Sequence, residues 1–191
     1  MIVKGHDFPN VTLVGILAAD MSLYADDYRA GERTFQLLTQ AAGRAGRGSE
    51  KGEVVIQTYS PEHYSIETAA KQDYESFYEA EISYRSVMGY PPVEHLAAIL
   101  ISGKDESLLE TASSYIKSYV ERVNKKQVRM IGPTSPHVSK VSDVYRRVIY
   151  LKHAEYDVLT DVKNKLEKYI EINPGFQKLR VQFDFNPMNI F

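Results

Sequence analysis

Apolar positions recur along this chain with two different periods, and each change of period marks an element. Val11 to Leu17 is a continuous apolar run with branched residues, the pattern of a buried strand. Residues 31–45 then carry apolar positions at helical spacing (Phe35, Leu38, Ala42). Glu53 to Tyr59 reads as a second strand, opened by Gly52 and ended by Ser60-Pro61. Strand, helix, strand at this spacing predicts a crossover unit of a parallel sheet. Two strands alone make a poor sheet, so further strands are expected from sequence outside this chain. The edge left open is expected to pair with another copy. Residues 62–88 read as helical, with Tyr74, Phe77, Tyr78 and Ile82 on one side, until Gly89-Tyr90-Pro91-Pro92 stops them.

From residue 94 the pattern is cleaner. Leu96 to Ile101 is a strand that is apolar on both sides, so both of its faces are expected to be covered. Helices cover one face; the connector helix or the amino-terminal segment is expected over the other. A helix begins at Asp105 and carries Leu108, Leu109, Ala112, Ile116, Tyr119, Val120 and Val123. Short and long strands follow at Val128 to Ile131 and Val144 to Lys152. A second helix carries Val158, Leu159, Val162, Leu166, Tyr169 and Ile170 and ends at Asn173-Pro174-Gly175. Leu179 to Phe185 alternates strictly, with Arg180, Gln182 and Asp184 on its polar face. The order β-α-β-β-α-β predicts a ferredoxin-like, split βαβ domain over 94–191.

Composition narrows the function little. The 191 residues are 43% hydrophobic and 25% charged, ordinary for a globular chain. A net charge of -2 gives no global field for nucleic acid, so any such surface must be local. The absence of cysteine excludes disulfides and thiolate metal sites, and the five scattered histidines form no metal-binding spacing. No metal ligand is assigned. Neither a membrane span nor a leader peptide is visible. Most of the fourteen tyrosines are expected to be structural, since several sit at core helix positions.

Thr39 to Gly48 holds the most specific chemistry. Arg44 and Arg47 each follow a glycine, Gly43 and Gly46, and Gln40 stands four residues before Arg44. Arginine offers planar, permanently charged, bidentate contacts to phosphate oxygens, and glycine permits close approach. The plain alternative is a solvated helix end whose cations complement the helix dipole. A second cluster lies in residues 125–153, where seven cations, Lys125, Lys126, Arg129, Lys140, Arg146, Arg147 and Lys152, stand against one acid, Asp143. Arg146, Tyr150 and Lys152 share one face of the long strand, a pattern suited to a single-stranded backbone with a stacked base. The loop Pro133 to Lys140 adds small polar groups able to hold phosphate. A merely solvated basic face fits the same residues.

Two segments, Lys4-Gly5-His6-Asp7-Phe8-Pro9 with the following strand and Gln40-Ala41-Ala42-Gly43-Arg44-Ala45-Gly46-Arg47, resemble the fifth and sixth motifs of superfamily-two helicases. With Gly52-Glu53-Val54-Val55-Ile56-Gln57-Thr58, the sequence is similar to one family, the primosomal replication-restart helicases. Glu81, Arg85, Tyr90-Pro91-Pro92, Ile131-Gly132-Pro133 and Phe183-Asp184-Phe185-Asn186-Pro187 resemble later landmarks, so the likeness spans the chain.

The resemblance implies an α/β truncated RecA-like lobe over 1–70, a connector over 71–93, and a carboxy-terminal domain over 94–191 likened to a small ribosomal-subunit protein of ferredoxin-like topology. It implies that Arg44 and Arg47 are arginine fingers, that Gln40 orients the γ-phosphate, and that Gly5, Asp7 and Gly43 belong to the ATP site. Asp7 also suits a turn cap before Pro9. ATP and magnesium are expected in the full-length protein, with zinc held only upstream. The partners implied are forked or single-stranded DNA, the single-strand-binding protein and primosome proteins, in the cytoplasm. No phosphate-loop or acidic metal motif occurs in this sequence, which is therefore expected to be a carboxy-terminal, by itself inactive, fragment. A non-catalytic binding module and a piece of another superfamily-two translocase, such as a branch-migration helicase, are the alternatives.

Overall fold

The computed structural model describes residues 11–46, 51–124 and 128–188. The chain divides into two compact units between Tyr84 and Arg85. Both are mixed α/β.

The first unit begins with β1 (Leu13–Ile16), α1 (Ala30–Ala42) and β2 (Glu53–Ile56). β1 and β2 pair in parallel, Leu13 opposite Glu53 and Ile16 opposite Ile56, as the strand-helix-strand pattern predicts. Both strands are shorter than their apolar runs. Past their ends the chain is held by side chains instead: the Asp20 carboxylate accepts from Thr58 Oγ1 at 2.6 Å and from the Tyr59 amide at 2.9 Å. These bonds tie together the carboxyl ends of the pair, and they hold the Asp20 carboxyl below its usual range.

The single helix expected over 62–88 is two helices, α2 (Tyr64–Lys71) and α3 (Tyr74–Met88). Gln72 takes a left-handed conformation, and the Asp73 carboxylate accepts from the Ser76 amide, restarting the chain as a new helix. The core of this unit is small. Phe35 of α1 stacks on Phe77 of α3 at 4.1 Å between ring centroids, with Leu38, Ile66 and Ala69 around them.

The second unit is an antiparallel sheet under two helices. In chain order come β3 (His95–Gly103), α4 (Glu106–Val123), β4 (Arg129–Thr134), a two-residue β5 (Lys140–Val141), β6 (Val144–His153), α5 (Tyr156–Ile172) and β7 (Arg180–Phe185). The strands lie in the order β4-β6-β3-β7, with β5 paired to β6 as a hairpin that the sequence pattern does not show. α4 is capped by Asp105, whose carboxylate accepts from the Leu108 amide. Ala97, Ile99 and Ile101 of β3 and Ile149 and Leu151 of β6 meet Leu109, Ile116, Val120, Leu159 and Leu166 of the helices in one core. Val181, Phe183 and Phe185 pack on it from β7, on the face that alternation predicts.

The opposite face of β3 is also out of water. Leu96, Ala98 and Leu100 are at most 3% exposed, as an apolar strand without a polar face requires. At the Leu96 end, part of the cover is the segment Arg85 to Pro91. Arg85 is buried and donates to the Pro91 carbonyl at 2.9 Å, and Gly89 and Pro91 are buried beside it.

Leu159 is fully buried between α5 and the sheet. Leu159→Ala is expected to destabilise the second unit by about 2–5 kcal/mol, the range for a buried leucine that leaves a cavity. Urea unfolding of the whole chain measures it. A loss under about 1 kcal/mol would mean that this core is not the unit's main support.

Candidate functional site: a helix end and a divided basic strand

The Gln-x-x-Gly-Arg segment sits at the carboxyl end of α1. Gly43 caps the helix, its amide donating to Thr39 O at 3.0 Å, and Arg44 continues in a tighter turn with its amide on Ala41 O at 3.1 Å. Gln40 and Gly43 are exposed and Arg44 half-buried. Residues three and four apart share one side of a helix, so these three lie together. Gly5, Asp7 and Arg47 lie outside the described residues, as does Lys4.

What holds this end is a backbone contact. The Gly46 amide donates to Val11 O at 2.9 Å, which pins the turn to the start of β1. Beside it stands Gly52, where a Cβ would lie 2.2 Å from the Gly46 nitrogen and 2.4 Å from Ala45 C. Only glycine at 52 lets β2 begin this close to the turn. Arg44 therefore lies at the amino ends of the parallel strands. An open parallel sheet takes its own ligands at the carboxyl ends, so the turn that carries Arg44 stands at the other end of the strands from the place where this sheet would hold one. Along the same side a groove of about 750 Å³ runs between β1 and α1, lined by Leu13, Leu17, Met21, Leu37, Ala41 and Arg44 among others.

The basic cluster is not one patch. Lys125 and Lys126 lie outside the described residues. The two cations next to each other on β6 point to opposite faces. Arg147 lies on the helix side, with Nε 2.8 Å from Glu110 Oε1 and Nη2 3.7 Å from Glu106, both on α4. Lys140, in the β5 hairpin, pairs with Asp143 at 3.0 Å and lies over the Tyr145 ring.

Arg146, Tyr150 and Lys152 do share the helix-free face, but Lys152 is only 6% exposed. Its Nζ sits 3.5 Å from the centre of the Tyr90 ring and donates to the Met88 carbonyl at 3.2 Å, at the carboxyl end of α3. Arg129, across from Lys152 in β4, pairs with Glu94 at the same place. Gly89 ends α3 in a left-handed turn, and a Cβ there would overlap the Arg129 guanidinium. From its spacing alone Lys152 reads as a solvent-facing cation, because its partners lie more than sixty residues away. Tyr90 was visible only as part of a helix stop. Tyr150 is half-buried on that face, next to Ile131 of β4 and Ala98 of β3.

Among the described residues no group of three or more histidines and acids is placed to hold a metal, and no helix is long and apolar enough to cross a membrane.

Residues 86–188 match the family of the Primosomal protein N C-terminal domain. The chain belongs to that family. Among curated relatives, Replication restart protein PriA of Bacillus subtilis is 36% identical over 187 residues, 98% of this chain and 23% of its own length. The proteins of that name from Synechocystis sp. and Haemophilus influenzae are 35% and 34% identical and cover 100% of the chain. The chain spans about a quarter of the length of these relatives. Among solved structures, the de novo designed protein Foldit4 covers 50% of the chain at 14% identity and a TM-score of 0.39, too remote to bear on the fold.

Burial holds the Lys152 ammonium below its usual range, the Arg129 charge adds to that, and Glu94 opposes it. A lysine depressed in the fold binds its proton more weakly there than in the unfolded chain. The cost of burying the charge is present below its folded pKa and is relieved as pH rises through that value toward 10.5. The stability of the parent relative to Lys152→Met should therefore increase between neutral pH and about pH 10 in paired urea titrations. A parent stability that stays constant relative to the variant would place Lys152 in solvent, and one that falls would mean its charge is stabilised in the fold.

Proposed function

We propose that this chain is the carboxy-terminal part of an ATP-dependent DNA helicase that restarts replication and assembles the primosome at branched DNA. The observation that carries the reading is the likeness over the whole chain to relatives named Replication restart protein PriA. In this reading residues 1–70 are the remnant of a second RecA-like lobe, 71–93 a connector, and 94–191 a ferredoxin-like domain. The β4-β6-β3-β7 order with two crossing helices supports the last assignment. The parallel β1–β2 pair and the groove beside it support the first, since a two-strand sheet needs further strands.

Arg44 and Arg47 act as arginine fingers on the γ-phosphate of ATP held by the other lobe, with Gln40 orienting that phosphate. Gly5, Asp7 and Gly43 line the same nucleotide. The position of Arg44, at the amino edge of its own sheet, suits a cation that serves a ligand bound elsewhere. ATP and magnesium chemistry belongs to the longer protein. The residues here supply positive charge that strengthens as charge builds on the transferring phosphoryl group. DNA, primosome proteins and the single-strand-binding protein are the partners, in the cytoplasm.

In the full-length enzyme, Arg44→Ala should lower DNA-stimulated ATP turnover by about 10³-fold while DNA affinity is largely kept. The 191-residue chain alone should hydrolyse no ATP with or without DNA. Near-normal turnover by the full-length variant would return Arg44 to a helix-end role, and turnover by the isolated chain would overturn the division of labour.

A further inference from the structure

β3 is apolar from Leu96 to Ile101 and then changes character at Ser102, on the helix-free face. Ser102 stands directly opposite Arg146 of β6 on one side and Arg180 of β7 on the other. Residues directly opposite in antiparallel strands project to the same face, so the order across three strands is arginine, serine, arginine. Two interstrand spacings place the arginine Cα atoms about 10 Å apart, so both side chains can lean over Ser102.

Neither guanidinium has an acidic partner within ion-pair distance among the described residues. On the neighbouring elements Arg129 meets Glu94, and Arg147 meets Glu106 and Glu110. On this face of β7 the next acid is Asp184, four residues along and about 13 Å away by strand rise. Arg180 is exposed and Arg146 half-buried, so both reach solvent.

Ser102 itself is 9% exposed, and its hydroxyl contacts the Arg180 carbonyl at 3.4 Å, well beyond the usual length for such a bond. That weak contact leaves the proton free to turn toward a better acceptor. Two guanidiniums that lean over one serine repel each other, and an anion between them would relieve the repulsion while accepting two forked sets of donors.

We propose that Arg146, Ser102 and Arg180 form a phosphate-binding site on the helix-free face of the sheet, and that its ligand is a phosphodiester group of single-stranded DNA. This proposal rests on the DNA reading above and gives it a location. The site replaces the expected pairing of Arg146 with Lys152. Alternation puts those two on one face but six residues apart, and Lys152 is committed to α3. The side chain of β6 nearest the site that can stack on a base is Tyr150. It lies four residues along the same strand from Arg146, about 13 Å. Val148 lies between them on the same face and is buried, so the two arginines and Ser102 make up the site without Tyr150.

The test uses the 191-residue chain, a fluorescein-labelled oligothymidylate and inorganic phosphate. The parent should bind the oligonucleotide at low salt, with affinity falling as salt rises. Arg146→Ala/Arg180→Ala should bind about tenfold more weakly, with a salt slope lower by about 1. Arg146→Lys/Arg180→Lys should keep the slope but recover only part of the affinity, because lysine keeps charge and loses the bidentate fork. Lys165→Ala, on the helix layer, should bind like the parent. A thermal melt unchanged by the double alanine substitution shows that folding is not the cause. Equal binding by parent and double alanine variant would overturn the site.

If the parent binds no oligonucleotide, backbone amide spectra separate the two claims. Shifts at residues 102, 146 and 180 on adding inorganic phosphate would keep the anion site and remove DNA as its ligand. No shift with either probe would overturn both.

Discussion

The burial of β3 on both faces governs most of what this chain does with its charges. A strand that reads Leu-Ala-Ala-Ile-Leu-Ile has no side that tolerates water. Helices α4 and α5 take the Ala97, Ile99 and Ile101 side. Leu96, Ala98 and Leu100 must be sheltered on the other, and at the Leu96 end the shelter includes the carboxyl end of a helix. A helix end exposes unpaired carbonyls, so whatever meets it should donate hydrogen bonds and carry positive charge. Lys152 does both, and Arg129 pairs with Glu94 beside it. The same demand that buries β3 therefore removes Lys152 from the surface that a count of charges assigns to it, while Arg129 stays exposed beside Glu94.

Alternation divides the remainder. Arg147 lies one residue from Arg146 and faces α4, where two glutamates neutralise it. Lys140 is matched by Asp143 in its own hairpin. What looks in one dimension like a basic tract resolves into a helix clamp, two ion-paired cations and Arg146. Arg146 finds its counterpart on β7 through the register around Ser102.

Much of the fold is legible from periodicity because each element carries a strong local signal. Leu109, Ala112, Ile116, Val120, Val158, Leu159, Val162 and Leu166 and the alternation of Val181, Phe183 and Phe185 face the core they predict, whereas Leu108 and Val123 stay at its margin. The misreadings are of two kinds. The break at Gln72-Asp73 is local, and the clue was there: an aspartate three residues ahead of Ser76 is a helix-start signal inside an otherwise helical run. The role of Lys152 is not local at all. Its partners are an aromatic ring and a carbonyl in the connector, brought near by strand pairing, and no spacing along the chain reports that. The arginine helix end is legible as a motif. Its position against Val11, secured by the close approach of Gly52 to Gly46, is a tertiary fact.

That position is what connects the fold to catalysis in the proposed account. A cation at the amino edge of a parallel sheet contributes little to a ligand of its own sheet. It is well placed for a phosphate presented by another body. Its value then lies in stabilising charge that exists only at the transition state. The most direct measurement compares the full-length enzyme with its Arg44→Ala variant for binding of ATP and of ADP with aluminium fluoride, a mimic of the transferring phosphoryl group. The account predicts that ATP binds to both within a few-fold, whereas the mimic binds the variant at least about 10²-fold more weakly. Equal loss for both ligands, or loss for neither, would contradict it.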